Sequence, residues 1–198
     1  MEQALFKRLE AFTRLSEADR SAFGRLKSRT IDVAARRDVI REGDEPTHVN
    51  LVLKGWACRY KMLPDGRRSM VGFLIPGDFC DLNVYILKEM DHSVGAVTNV
   101  RVAQVAPDDL LQLMNDHPRV AQALLWHELV AAAVQREWTH NLSSRDAYER
   151  LAHLLLEMFL RMRTVDLVRA CTRRPAGGGR RSVLAWDAWA WDRWRVSR

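Results

Sequence analysis

The residues with the richest chemistry in this chain are its three cysteines and six histidines. Cys58, Cys80 and Cys171 are far apart and odd in number, which indicates a reducing cytoplasm rather than a disulfide framework. None is spaced as in a zinc or iron–sulfur motif. The histidines are His48, His92, His117, His127, His140 and His153. They show no metal-ligand spacing within one element, so we predict no metal and no cofactor, and interpret each as a surface or satisfied interior residue.

Catalytic arrangements are also missing from the sequence. It contains no nucleophile elbow, no phosphate-binding glycine loop and no HExxH-like pattern. Asp81 and the pair Asp108-Asp109 have no recognisable acid/base partner. Gly177-Gly178-Gly179 follows no strand and is interpreted as a linker. We therefore predict that the chain is not an enzyme.

The net charge of +6 suggests nucleic-acid binding, but its position along the chain weakens that interpretation. Residues 169–198 hold eight arginines and two aspartates, whereas residues 1–168 hold 23 basic and 23 acidic residues. The body of the chain therefore offers no bulk electrostatic attraction to DNA. No apolar run approaches about 18 residues, and the first residues lack a signal-peptide pattern, so we predict a cytoplasmic chain with no membrane partner.

The first half of the chain combines two helical segments with a β-rich region. Short amphipathic helices are predicted at 3–12 and 16–27, the second opened by a capping box of Ser16 and Asp19. From about residue 30 to 106, apolar segments alternate with turn signals at roughly 10–12-residue spacing, which is typical of a small all-β sandwich or roll. Asp65-Gly66 is a strong hairpin signal because glycine adopts positive φ without steric cost.

After Pro107 the apolar period becomes helical. A short helix is predicted at 108–115, and a longer one begins at Pro118 and runs to about residue 140. Its heptad seam consists of Val120, Leu124, His127, Ala131, Val134 and Trp138. We predict that this seam forms a homodimer and that a second stripe of Leu125, Leu129 and Ala132 packs on the β domain. The alternative is an ordinary core helix in a monomer.

A last helix and a distinctive tail follow. Ser143 and Asp146 predict a capping box for a helix that ends near residue 163. One face of this helix is apolar and consists of Tyr148, Leu151, Ala152, Leu155, Phe159 and Met162. Residues 173–181 are interpreted as a flexible basic linker, and Trp186, Trp189, Trp191 and Trp194 follow without a clear period. We predict that the Trp-rich tail at 169–198 is disordered.

The ordered set of segments resembles the Crp/Fnr family of bacterial transcription regulators. The resemblance rests on Gly43-Asp44, on residues 48–55, on Asp65-Gly66-Arg67-Arg68, on residues 73–79 and on residues 145–152. It covers about residues 5–165. The resemblance implies an α+β fold, in which a cyclic-nucleotide-binding-type β-roll is followed by a long dimerisation helix and the remnant of a winged helix-turn-helix domain.

The implied domains divide the chain at three points. Residues 1–117 are the effector-sensing β-roll domain with flanking helices, 118–141 the dimerisation helix, and 142–168 the first helix of the DNA-binding domain. A helix-turn-helix is not recognisable in 164–198, so DNA-binding residues are not assigned. The tail is interpreted either as a novel DNA-binding segment or as the product of out-of-frame reading of a GC-rich gene. In the shifted frame, residues 188–192 can encode Leu-Gly-Leu-Gly.

The resemblance also implies an effector pocket. Its residues are Gly77, Asp78, Phe79, Cys80, Asp81, Leu82, His92 and Ser93. Where the family uses Gly, Glu and a phosphate-binding Arg, this chain has Cys80, Asp81 and His92, so tight cyclic AMP binding is not expected and the pocket takes another small-molecule effector or none. Haem-binding members have a His two residues after the Cys, where this chain has Leu82. Cys80 is therefore interpreted as a buried structural residue.

These observations lead to two functional hypotheses. The first is a DNA-binding regulator of the Crp/Fnr type, in which an unidentified effector at the β-roll shifts the dimer helix and reorients the DNA-reading heads. The alternative is a sensor and dimerisation module of that family that no longer binds DNA specifically. A third possibility, an effector-binding module with no nucleic-acid role, differs from the first by its indifference to DNA sequence.

Overall fold

The computed structural model describes residues 2–10, 13–82, 84 and 86–167. In this part of the chain, α1 (Glu2–Leu9) and α2 (Glu17–Gly24) precede the strands. The strands are β1 (Ser28–Val33), β2 (Asp38–Ile40), β3 (Val49–Lys54), β4 (Ala57–Met62), β5 (Arg68–Leu74), β6 (Ser93–Ala96) and β7 (Val100–Val105). They are followed by α3 (Pro107–Asp116), α4 (Pro118–Ser144) and α5 (Ala147–Thr164). The tail at 169–198, with its predicted linker and tryptophans, lies outside the described residues.

The strands form two antiparallel sheets, so the predicted β-roll is confirmed. One sheet has the order β1-β7-β3 and the other the order β2-β6-β4-β5. Val52 and Val102 of the first sheet pack with Leu74 and Val94 of the second in the core between the sheets. The hairpin predicted at Asp65-Gly66 joins β4 to β5, and Gly66 has φ of +82°.

The helices cover the outer face of the β1-β7-β3 sheet. Leu9 of α1, Leu110 of α3 and Val120 of α4 pack with Leu51 and Ala103 in a second core. Both faces of β3 are therefore buried, although its sequence alternates like a strand with one face in water. The interior position of Asn50 is satisfied because its side chain bonds to the His48 carbonyl and to the Gln104 side chain.

The ends of the helices follow local capping chemistry. The capping box of Ser16 and Asp19 is confirmed: the Ser16 hydroxyl accepts from the Asp19 N–H at 3.2 Å, and the Ser16 N–H donates to the Asp19 carboxylate at 2.9 Å. The box predicted from Ser143 is wrong, because α4 continues through Ser144. Asp146 caps α5 instead, with Glu149 completing the reciprocal pair.

The two apolar stripes of α4 have the reverse of the roles that we predicted: the first packs on the chain's own core, and the second is exposed. Val120 and Leu124 of the predicted dimer seam are buried in the chain's own core, so no partner chain could reach them. Farther along the same seam, His127 lies against Phe79, and Trp138 lies against Phe73 of β5. The second stripe is exposed rather than packed on the β domain: Leu125 is 60% and Leu129 50% exposed, and Ala132 is also exposed. Heptad spacing marks a helix face that is buried, and here the chain itself buries it.

Helix α5 folds back onto the β-roll through a face adjacent to its predicted apolar stripe. Met158 and Val165 pack with Ile75 in a third core, and Trp138 Nε1 donates to Glu157 Oε2 at 2.7 Å. Most of the predicted stripe is instead exposed, including Tyr148, Leu151, Ala152, Leu155 and Phe159, whereas Met162 is half-buried.

No helix within the described ranges has the length and apolarity that a bilayer crossing requires.

Candidate effector-binding and switching site

The turn after β5 is built around Gly77. Its φ is +92°, and a Cβ added there would lie 3.0 Å from the carbonyl group of Ala4 in α1. Glycine suits this position because the turn needs both a left-handed backbone and a close approach of α1. The Gly77 N–H donates to the Val52 carbonyl, and the Val52 N–H donates to the Asp78 carbonyl, each at 2.9 Å. The turn is thereby attached to β3.

Asp78 joins three parts of the chain through buried charge. Its carboxylate lies 2.6 Å from Arg8 of α1 and 2.7 Å from Arg161 of α5, and it accepts from the Ile75 N–H at 2.8 Å. Burial raises the pKa of Asp78, but Arg8 and Arg161 outweigh it, so the pKa is lowered and the carboxylate stays ionised. Arg161 also donates to the Phe73 carbonyl at 2.8 Å. We name Arg8, Asp78 and Arg161 the Asp78 cluster.

The backbone at Phe79 and Cys80 is already bonded within the protein. The Cys80 N–H donates to the Asn50 carbonyl at 2.7 Å. Arg59 Nε donates to the Cys80 carbonyl at 2.9 Å, and its Nη2 donates to the Phe79 carbonyl at 3.1 Å. The Phe79 ring meets His127 edge to face, and burial lowers the pKa of His127 to about 4. That imidazole is therefore neutral at physiological pH.

The Cys80 side chain lies in the core between the sheets, as we expected for a structural cysteine. Burial raises the pKa of its thiol to about 12, so the thiolate that would ligate haem iron or react with an oxidant is not formed near neutral pH. In a Cys171→Ser variant, we expect neither Cys58 nor Cys80 to react with a disulfide reagent at pH 8 in the native protein. Both should react after denaturation. Rapid labelling of the native protein would contradict a structural role.

The predicted pocket also contains a polar cluster, formed by Asp81, Asp91 and His92. Each side chain contributes one polar atom, and these three atoms lie within 4.8 Å of one another. His92 Nδ1 is 2.6 Å from Asp91 Oδ1, whereas His92 Nε2 is buried and has no hydrogen-bond partner among the described residues. The Ser93 hydroxyl accepts from the Glu42 N–H at 2.9 Å, and this bond attaches β6 to the segment that follows β2. Leu82 is buried in the helix-covered core.

The arrangement does not fit a cyclic phosphate. His92, where the family has a phosphate-binding Arg, already lies against a carboxylate, and Asp81 adds a second negative charge. The Cys80 N–H is committed to Asn50, so it cannot point at a phosphate. Arg59, the guanidinium beside this turn, donates to two carbonyls of the turn. Cys80, Asp81 and His92, the positions at which the sequence departs from the nucleotide pattern, therefore offer no group here that would hold a phosphate.

Several residues of this site were not identified from the sequence. Arg8 and Arg161 are 70 and 83 positions away from Asp78 in the sequence, and neither belongs to a motif. Asp91 is adjacent to His92, and that pair is the one signal of this cluster in the sequence. Asp81 lies ten residues before Asp91 in a different turn, so spacing within a single element does not reveal the cluster.

Comparison with known proteins defines the class to which this fold belongs. A family model described as a cyclic nucleotide-binding domain matches residues 30–117. The structure of FixK2 from Bradyrhizobium japonicum aligns with a TM-score of 0.62 at 24% identity, covering 69% of this chain and 68% of that one. The c-di-GMP-responsive global regulator CLP of Xanthomonas campestris aligns with a TM-score of 0.61 at 19% identity, over 72% of each chain. The chain is thus built on a cyclic nucleotide-binding domain.

Relatives by sequence include two named regulators of transcription or nitrogen fixation. The nitrogen fixation regulation protein FixK of Bradyrhizobium diazoefficiens is 32% identical over 130 residues, which are 65% of this chain and 53% of that protein. The transcriptional activator protein FnrL of Cereibacter sphaeroides is 32% identical over 121 residues, 61% of this chain and 48% of that protein. The chain spans about half the length of these curated relatives. Over that length it is similar to transcription regulators of the Crp/Fnr type.

Proposed function

We propose that the chain acts as a DNA-binding transcription regulator in the cytoplasm, responding to an effector at the β-roll. The observation that carries this proposal is the direct ion pair between Asp78, in the turn of the effector pocket, and Arg161 in α5. Helix α5 corresponds to the first helix of the family's DNA-binding domain. A change in the turn would therefore reach the DNA-reading part through one buried contact. The names of the relatives, a regulator and an activator, support the same function.

A homodimer is part of this proposal, formed by the exposed stripe of α4. Leu125 and Leu129 project large apolar side chains away from the chain's own core, and Trp126 and Val130 flank them. Burying a fully exposed leucine contributes about 1.5–3 kcal/mol, and a symmetric contact would complete the burial of Leu125 and Leu129 from both chains. In this proposal the stripe takes the place of Val120 and Leu124, which are buried in the chain's own core.

One observation favours the alternative of a sensor and dimerisation module without specific DNA binding. Tyr148, Leu151 and Leu155 leave the outer face of α5 uncovered by the described residues. In an intact family member, this helix would pack against the rest of the helix-turn-helix domain. The sequence of 164–198 does not contain a recognisable second helix of that kind.

Selection from a library of random DNA duplexes by the full chain distinguishes the two functions. A specific regulator should enrich a two-fold symmetric motif with half-sites about one helical turn, roughly 10 base pairs, apart. Binding that falls steeply with salt and enriches no motif would come from the arginines of the tail alone. That result would reject the regulator and leave the sensor module.

A further inference from the structure

A small apolar cavity lies between the β1-β7-β3 sheet and the helices that cover it. Its volume is about 30 Å³. Helices α1 and α2 contribute the rings of Phe6 and Phe23, and the turn after β5 contributes the ring of Phe79. The sheet contributes Leu51 of β3 and Ala103 of β7, and all five of these residues are buried. Protein cores contain few voids larger than a water molecule, so a void in this position is unusual.

The walls of this cavity do not suit water. A buried water molecule needs about two to four polar partners. Among the described residues that line the cavity, Ser28 alone has a polar side chain, and it lies at the exposed start of β1. Strand β7 pairs with β1 on one side and with β3 on the other, so its backbone polar groups are used in the two ladders. An uncharged apolar molecule therefore fits these walls better than water does.

The size of the cavity limits its ligand to a few atoms. Roughly 10–15 Å³ of such volume holds one water molecule, so the cavity has room for about two or three groups of that size. It is much smaller than the ~150 Å³ of an apolar cavity that binds benzene. Ser28 is exposed and Leu26 is half-buried, so a ligand can enter along this edge of the lining.

The cavity borders both segments that form the ion pair of Arg8 with Asp78. Leu5 of its lining precedes Arg8 by three residues on α1, and Phe79 directly follows Asp78. The two segments touch at this edge, because a Cβ added to Gly77 would lie 3.2 Å from the Leu5 nitrogen. A ligand that separates α1 from the turn would therefore move Arg8 relative to Asp78.

We propose that this cavity binds a small uncharged apolar molecule of roughly two or three non-hydrogen atoms, and that this molecule is the effector of the β-roll. The binding rests on the cavity alone, whereas the effector role rests on the proposed regulator function. The Phe79 ring has the cavity on one side and meets His127 of α4 edge to face, with ring centroids 5.7 Å apart. Asp78 beside it pairs with Arg161 of α5. Occupancy of the cavity therefore acts on both helices without a charged group on the ligand.

Xenon is the probe for this site, because it is an inert atom that enters dry apolar cavities. Methyl carbon–proton NMR spectra of the full chain are recorded under xenon and under helium at the same pressure. We expect shifts that saturate with xenon pressure at the methyl groups of Leu5, Leu51 and Leu110, which line the cavity. Leu74 and Val94, in the core between the sheets, should not shift. No shift at all, or equal shifts in both cores, would overturn the cavity site.

Two substitutions change the size of the cavity in opposite directions. Ala103→Ile fills it from the sheet side and should abolish the xenon shifts, whereas Val105→Ala enlarges it and should strengthen binding. Ala35→Ile adds the same atoms at an exposed position before β2 and should leave binding unchanged. Circular dichroism shows which variants are folded, and Val105→Ala keeps the test decisive if Ala103→Ile is not. Xenon shifts that persist in folded Ala103→Ile, or weaker binding by Val105→Ala, contradict the site.

Amide hydrogen exchange in α5 and DNA selection, each under xenon and under helium, test the effector role. Xenon should raise exchange in α5 and change the affinity for the selected motif in the wild type but not in Ala103→Ile. Xenon binding that changes neither is the filling of a packing void only and overturns the effector role. A chain that selects a motif but binds no xenon overturns the cavity site alone, whereas one that binds xenon but selects no motif overturns the regulator alone.

Discussion

Asp78→Ala is expected to lower the free energy of unfolding by about 3–5 kcal/mol, because removing the carboxylate leaves Arg8 buried without a counter-charge and leaves Arg161 paired only with Glu157 of its own helix. The Ile75 N–H also loses its acceptor. The loss should appear in urea unfolding of the full chain as a lower midpoint with little change in slope. Amide hydrogen exchange should rise first in α5, since Arg161 is its buried ionic contact to the turn.

Acid should reproduce part of this effect in the wild-type chain. The pKa of Asp78 is lower in the folded state than its ordinary value near 3.8, because Arg8 and Arg161 overcome the effect of burial. Such a carboxylate stabilises the fold above its unfolded pKa, and that contribution is lost as the pH falls through the folded pKa. The difference in unfolding free energy between wild type and Asp78→Asn should therefore be constant near neutral pH and shrink below about pH 4.

Asp32→Ala is the matched control for this prediction. Asp32 also forms an ion pair, with Arg101 at 2.7 Å, but both side chains are largely in water. Exposed pairs contribute little, so the midpoint should barely move. Equal losses in Asp78→Ala and Asp32→Ala would mean that the Asp78 cluster does not attach α5 to the β-roll.

The β-roll could be predicted from the sequence because its signals are local. Turn residues such as Asp65-Gly66 and Gly77 encode their own backbone conformations, and the distance between turns sets the strand lengths. The position of Pro118 predicted the start of α4 for the same reason. The residue that caps the start of α5 was harder to predict. Ser143 and Asp146 are each followed, three residues later, by an acidic residue that could complete a capping box, and only the length of α4 in the folded chain decides between them.

The site was less predictable because its contacts are distant in sequence. The Asp78 cluster joins residues 8, 78 and 161, and no periodicity of the sequence indicates that these residues are in contact. The two stripes of α4 presented a different difficulty. Both have helical spacing, and spacing alone cannot tell whether a stripe meets the chain's own sheet or a second chain. His127 in the first stripe is explained by its contact with Phe79.

Leu129→Asp should convert the proposed dimer into a monomer. Leu129 is 50% exposed in the single chain, on the stripe that we assign to the partner contact. The substitution removes apolar burial from both chains of a symmetric dimer and places two carboxylates near each other, so the dissociation constant should rise at least about 100-fold, or roughly 2.7 kcal/mol. Sedimentation equilibrium over a range of concentrations measures this constant directly, while the unfolding midpoint of the monomer should change little.

Two further variants separate the stripes of α4. Ile86→Asp changes an aliphatic residue of the β-roll that is 69% exposed, more than Leu129, and should leave the dissociation constant unchanged. Leu124→Ala should lower the unfolding free energy by about 2–5 kcal/mol, because Leu124 lies in the chain's own core, and yet preserve association while the chain is folded. If Leu124→Ala dissociates the folded dimer and Leu129→Asp does not, the first stripe forms the interface and α4 must rotate when two chains meet. A chain that is monomeric from the outset would instead limit α4 to the role of a core helix.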